Sequence, residues 1–244
     1  MQADREIRVG TSGWHYPHWQ GRFYPEELTK DKWLDYYSRH FNTVEINNTF
    51  YHLPKATTMV NWHDRAPAGF VYAVKASRYI THVKKLNDPA ESIQKFFELV
   101  DLLRRRLGPI LYQLPPSQHK DLDKLDAFIE CLPKRNHAVF EFRHRSWYER
   151  DTFDLLSKRR VALCVHDLPG SASPRLVTGE MAYVRLHGTS GRYAGSYPDA
   201  MLAEWAQWLR DQTKTVRAVY AYFNNDLEGH AINNAKMLKR LLGL

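Results

Sequence analysis

Cysteine is nearly absent: the 244 residues hold two, Cys131 and Cys164. Neither belongs to a Cys-x-x-Cys pair, which argues against a disulfide framework and against a thiolate zinc centre. Both are expected to be reduced and buried. No apolar run is long enough to cross a bilayer, so no membrane partner is expected. The start, Met1-Gln2-Ala3-Asp4-Arg5-Glu6, is short and polar and lacks a signal-peptide pattern, so the expected compartment is the cytoplasm. No proline, glycine or serine linker divides the chain and no repeat of fixed period is visible, so residues 1–244 read as one domain. HExxH, Walker A, GxSxG and GxGxxG motifs are missing as well. Metalloprotease, P-loop, hydrolase-elbow and dinucleotide-binding readings therefore have no motif behind them.

What is present is a globular composition, 43% hydrophobic and 25% charged, with a net charge of +8. Each half of the chain carries +4, so the excess is not a tail, and a polyanion-binding face loses weight. The runs Arg104-Arg105-Arg106 and Lys158-Arg159-Arg160 are read as helix ends facing water. Aromatic residues make up 13% of the chain, enough to line a cleft as well as a core.

Strand-like runs recur at Ile7–Thr11, Thr43–Asn47, Phe70–Ala76, Ile110–Leu114, Ala138–Arg143, Ala162–His166, Ala182–His187 and Ala218–Phe223. Helical stripes separate them: Trp33, Leu34, Tyr37 and Phe41; Ile93, Phe96, Phe97, Val100 and Leu103, with Asp88 as cap and Pro89 in the first turn; Leu122, Leu125, Phe128, Ile129 and Leu132; and Ala231, Ala235, Leu238 and Leu242. Strict alternation of strand and helix implies parallel strands with right-handed crossovers. The fold class is therefore α/β, a single (β/α)8 TIM barrel. Its sixth crossover, Leu168–Glu180, holds Pro169, Gly170 and Pro174 and reads as an irregular loop.

Side chains alternate across a strand, so polar residues between helix-facing apolar neighbours point toward the barrel axis. That places Glu45, Asn47, Lys75, Glu141, Arg143, His166, Arg185 and His187 inside, while Gln113 and Asn224 end the fourth and eighth strands. All lie at the C-terminal ends, where barrel enzymes keep their chemistry. Glu45, Lys75, Glu141 and His187 are the candidate catalytic groups. Trp14, Asn47, Tyr51, Gln113, Arg143, Trp147, Arg185, Gly188 and Asn224 are the candidate ligand contacts, with Trp14, Tyr51 and Trp147 offering flat faces. The seventh loop, Gly188-Thr189-Ser190-Gly191-Arg192-Tyr193, has the donors of an anion site. The competing reading is a set of ion pairs plugging the mouth, Glu45 with Lys75 and Glu141 with Arg143 or Arg185.

His166, Asp167, His187, Glu45 and Glu141 are permissible metal ligands, but Lys75, Arg143 and Arg185 crowd the same place with positive charge, so no metal is expected and no cofactor is indicated. The favoured function is binding of an anionic, hydroxylated small molecule, such as a sugar phosphate or nucleotide fragment, with carboxylate and lysine acid–base chemistry of a hydrolase, lyase or isomerase. The alternatives are a nucleic-acid binding module, a metal-assisted phosphoesterase or a noncatalytic partner-binding barrel. The oligomeric state stays open.

The stretches GTSGWHYPHW, GRFYP, TVEINNTFYHLP, FVYAVKASRYITH, LYQLPP, VFEFRHRSW, YVRLHG and YFNND, in this order, resemble the YecE-like family, domain of unknown function 72. The resemblance runs from Val9 to near the C-terminus. It implies a TIM barrel and signature positions that include Gly13, Glu45, Lys75, Glu141, Arg185 and Asn225, and it carries no reaction with it. A looser likeness to the barrels of sugar isomerases and apurinic-site endonucleases has only fold-level force.

Overall fold

The computed structural model of the protein describes residues 6–134, 137–191 and 193–244. Its strands are β1 (Glu6–Thr11), β2 (Thr43–Ile46), β3 (Val71–Lys75), β4 (Leu107–Gln113), β5 (Ala138–Glu141), β6 (Ala162–His166), β7 (Met181–Leu186) and β8 (Ala218–Phe223). All neighbours pair in parallel, and the eight lie in the order β1-β8-β7-β6-β5-β4-β3-β2. The helices are α1 (Trp33–Tyr37), α2 (Asn48–Tyr51), α3 (Ala56–Arg65), α4 (Pro89–Val100), α5 (Leu122–Glu130), α6 (Arg150–Lys158), α7 (Asp199–Gln212) and α8 (His230–Leu242). Among the described residues no helix forms between β6 and β7, as the proline and glycine of that crossover suggest.

Strand alternation sorts the apolar residues into two cores. Val44, Tyr72, Val74, Tyr112, Phe140, Leu163, Val184 and Phe223 pack outward among the helices. Ala73, Leu111, Val139, Cys164, Tyr183, Tyr220 and Tyr222 fill the barrel interior. This interior is the floor beneath the polar ring. The opposite end is closed by Arg8, buried on β1, whose guanidinium donates to the carbonyls of Asn42 and Gly69 at 3.0 and 2.8 Å.

The last seam, between β1 and β2, has no continuous ladder. It is joined by a single bridge, Ser12 beside Glu45, with Gly13 N–H donating to Glu45 O at 2.8 Å. The backbones approach so closely that a Cβ on Gly10 would lie 2.4 Å from Thr43 O. The Tyr37 hydroxyl of α1 fills the gap: it accepts from Thr11 N–H at 3.0 Å and donates to Thr43 O at 3.1 Å. Tyr37→Phe removes both bonds inside the core and is expected to cost about 1–3 kcal/mol in denaturant unfolding. An unchanged midpoint would show that the seam holds without it.

Several local expectations need correction. Asp88 precedes α4 but sits in the left-handed region (φ 40°) and makes no capping bond, whereas Asp121 caps α5 by accepting from Lys124 N–H at 3.0 Å. Arg104-Arg105-Arg106 ends a short 3-10 turn kinked at Arg104; Arg106 folds back to donate to His63 O at 2.6 Å. Arg159 does not simply face water: it grips Asp126 and Glu130 of α5. Cys131 is exposed, and only Cys164 is buried.

Candidate functional site

The ends of β2, β5 and β7 bring Glu45, Glu141 and Arg185 together on the barrel axis, all at most 1% exposed. Arg185 binds both carboxylates. Its Nε and Nη2 donate to Glu45 at 2.9–3.1 Å, and its Nη1 donates to Glu141 Oε2 at 2.7 Å. Glu45 also accepts from the Ser12 hydroxyl at 2.6 Å and the Tyr183 hydroxyl at 2.5 Å. Glu141 is paired a second time, by Arg143. Burial alone would raise the Glu141 carboxyl, but Arg143 and Arg185 outweigh it and hold it well below the usual carboxylate range. Of the pairings expected from sequence, Glu141 with both arginines forms; Glu45 pairs with Arg185.

His187 stands at the edge of this cluster. Its Nε2 lies 3.1 Å from Arg143 Nη2 and 3.4 Å from Arg185 Nη1. Guanidinium nitrogens only donate, so Nε2 accepts and the ring proton sits on Nδ1, 3.9 Å from Asp167 Oδ1. Burial, reinforced by the Arg185 charge, pushes the ring well below the ordinary histidine range, so it is neutral. Asp167 is committed elsewhere, to the His187 amide at 2.9 Å and the Tyr197 hydroxyl at 2.5 Å. His166 donates from Nε2 to Phe142 O at 3.1 Å, and burial first of all lowers its pKa to about 4.

Lys75 is different. Its side chain is buried, 8% exposed, and its ammonium has neither a hydrogen bond nor an ion pair to any described residue. It rests on the face of Phe50 from α2, 4.1 Å from the ring centre. Burial and then the Arg185 charge bring this amine down to about 7, with Arg143 adding to the fall and Glu141 and Glu45 opposing it. The chain leaves β3 through a π-helical turn, Tyr79–Val83, that sets His82 edge-on to the same Phe50 ring, 4.9 Å away. Burial, then the Lys75 charge, lower His82 to about 4.

The expected ligand contacts divide. Asn47, Gln113 and Asn224 stand at the ends of β2, β4 and β8, and the Asn47 Oδ1 atom is buried without a partner. Trp14 and Asn47 line a cleft of about 560 Å3 that is walled also by Ile46 and by Asn61, Trp62 and Arg65 of α3; none of Glu45, Lys75, Glu141, Arg143, Arg185 and His187 lines it. Tyr51 is exposed at the rim. Trp147 offers no face to the mouth: it is fully buried, stacked on the outward-facing Phe142 with ring centres 4.5 Å apart, and its indole N–H donates to Gln118 O at 2.8 Å. Gly188 has a positive φ of 100°, and its N–H already donates to the Tyr197 hydroxyl at 2.9 Å. Arg192, expected in the anion loop, lies outside the described residues.

Ser12, Tyr183 and Tyr197 are not among the residues expected at the site. Parity puts Tyr183 on the inward face of Arg185 but gives its hydroxyl no role, and it would put Ser12 on the inward face of Arg8. Tyr197 has no such signal, because it lies in a loop. Among the described residues no three His, Cys, Asp or Glu side chains converge as metal ligands, and no helix is long and apolar enough to cross a membrane.

Eight parallel strands, an apolar barrel interior and a buried charged ring at the C-terminal ends define a TIM-barrel protein with a polar mouth. The chain belongs to the family described as protein of unknown function DUF72, whose model matches residues 8–244. The UPF0759 protein YunF of Bacillus subtilis is 24% identical over 271 residues, 98% of this chain and 95% of that protein. The UPF0759 protein YecE of Escherichia coli K12 is 28% identical over 145 residues, covering 59% of this chain and 51% of that one. A crystal structure of a DUF72 family protein from Thermotoga maritima MSB8 superposes with a TM-score of 0.90 at 30% identity, over 98% of this chain and 100% of that one. The glycoside hydrolase family 5 enzyme PbGH5A of Prevotella bryantii, at 10% identity and TM-score 0.51, shares the fold alone.

Proposed function

We propose that the mouth binds a small anionic, hydroxylated molecule, in class a sugar phosphate or nucleotide fragment, and that Lys75 exchanges a proton with it. One observation carries this reading: Lys75 is buried at the mouth without a hydrogen-bonding or charged partner among the described residues. A barrel stabilised for its own sake gains nothing from such a lysine, since burying an unpaired charge is costly. Lys75, Arg143 and Arg185 together outnumber Glu45 and Glu141 by one positive charge, and a ligand anion offsets that surplus. Arg143 retains a buried Nε–H with no acceptor. Asn47 Oδ1, at the end of β2, is an acceptor left for a ligand hydroxyl.

On this reading Glu45 and Glu141 hold Arg185 and Arg143 in place, and the acid–base work falls to Lys75. The test is a thermal-shift and calorimetric screen of sugar phosphates and nucleotides. A ligand at a hundred times its Kd is expected to add about 2.7 kcal/mol of stability. Lys75→Ala and Arg143→Gln should each weaken that ligand at least about tenfold, the loss of roughly one charged contact. A screen without binders, or binding indifferent to both substitutions, contradicts the proposal. Binding to oligonucleotides that falls linearly with the logarithm of salt would point to nucleic acid instead.

A further inference from the structure

We infer that Lys75 is a nucleophile, and that the ligand of the mouth is an anionic hydroxy-aldehyde or hydroxy-ketone whose carbonyl carbon forms an imine with the Lys75 amine. The inference rests on the reading of the mouth as an anion site and deepens it by naming the ligand class. The geometry leaves few other groups to react. Glu45 and Glu141 are bound by arginines, Ser12 is bound to Glu45, His187 accepts from two guanidinium groups, and Cys164 lies below the ring beside Glu141. The Lys75 nitrogen faces Phe50, which offers a π-face and no hydrogen bond, so its lone pair is free once the proton leaves.

The charges around Lys75 favour an imine over a simple ammonium. It faces Glu45 from β2, Glu141 from β5 and Arg143 two residues beyond that strand, Arg185 from β7, and His82 from the turn after β3. The reaction is an ammonium and a carbonyl giving a protonated imine and water. One ammonium proton is shed to free the lone pair, which attacks the carbonyl carbon. The carbonyl π pair moves to oxygen, and that oxygen leaves as water carrying two protons, while the third stays on nitrogen. The product keeps the unit positive charge, which the anionic group of the ligand itself offsets. It spreads that charge over carbon and nitrogen, a cation less costly to strip of water than an ammonium and equally suited to the Phe50 face.

The experiment uses glycolaldehyde phosphate with cyanoborohydride at pH 7, read by intact mass and peptide mapping, beside 2-phosphoglycolate, which carries the anion without a reactive carbonyl. At pH 7 an amine titrating at about 7 is half in the free form, against about one part in 1,000 or fewer for an ordinary lysine. Lys75 is therefore expected to be alkylated at least about 100-fold faster than exposed Lys55, once per chain, with protection by 2-phosphoglycolate. Lys75→Arg replaces the reactive amine by a guanidinium and should lose the adduct. If 2-phosphoglycolate binds but wild-type Lys75 reacts no faster than Lys55, the imine is overturned and the anion site survives. If neither binding nor labelling occurs, both fail.

Discussion

Arg185→Leu is expected to lower the unfolding free energy by about 3–5 kcal/mol, the typical cost of removing one partner from a buried ion pair. Here one guanidinium serves two carboxylates, Glu45 and Glu141, both fully buried, so the loss should lie at the upper end of that range. The deficit should depend on pH, with a defined sign. The folded-state pKa of Glu141 lies well below its ordinary 4.5, so its contribution is complete above that value and fades as pH falls through the folded pKa. Without Arg185 the Glu141 carboxyl is easier to protonate, and the gap between variant and wild type should narrow in acid. Combining Arg185→Leu with Glu45→Gln should recover part of the loss, because Glu141 keeps Arg143 as its partner and no carboxylate is left without a cation. Chemical denaturation at pH 7 and pH 4 measures all three effects. A variant as stable as wild type at pH 7 would show that water, not Arg185, solvates the carboxylates.

Lys75→Met should have the opposite sign. The amine falls from 10.5 to about 7 on folding, and at about 1.36 kcal/mol per unit this bounds its cost near ~4–5 kcal/mol. Relaxation and water at the mouth reduce this to about 2–4 kcal/mol, or roughly 5–10 °C in Tm for a chain of this size. Between pH 7 and 10.5 the folded state binds fewer protons than the unfolded chain, so wild-type stability rises over that interval. The advantage of Lys75→Met is therefore fullest below pH 7 and shrinks as pH climbs toward 10.5. A substitution that stabilises the barrel while abolishing labelling of the mouth is what a residue kept for chemistry predicts. Destabilisation at neutral pH would mean that Lys75 holds the ring together.

The barrel and the membership of its ring were legible because both are local patterns. Glu45 between Val44 and Ile46, and Arg185 between Val184 and Leu186, declare their faces within three residues. What joins them was not legible. Glu45 and Arg185 are 140 residues apart, and nothing in either strand says that one guanidinium will take two carboxylates and leave Lys75 without a partner among the described residues. The same limit applies to Trp147, which lies close to the mouth in sequence but turns back onto Phe142 because a short 3-10 turn, Arg145–Trp147, reverses the chain after β5. Asp88 differs for a backbone reason: it takes a left-handed φ before Pro89, where an N-cap residue is normally extended, and its side chain makes no capping bond.

The Lys75 amine at the barrel mouth has no partner among the described residues, and its titration is the most direct test. In protein carrying 13C-labelled lysine, the Lys75 side-chain signal, assigned by its loss in Lys75→Met, is predicted to titrate at about 7. A Lys75 signal titrating near the ordinary lysine value of about 10.4 would contradict the account.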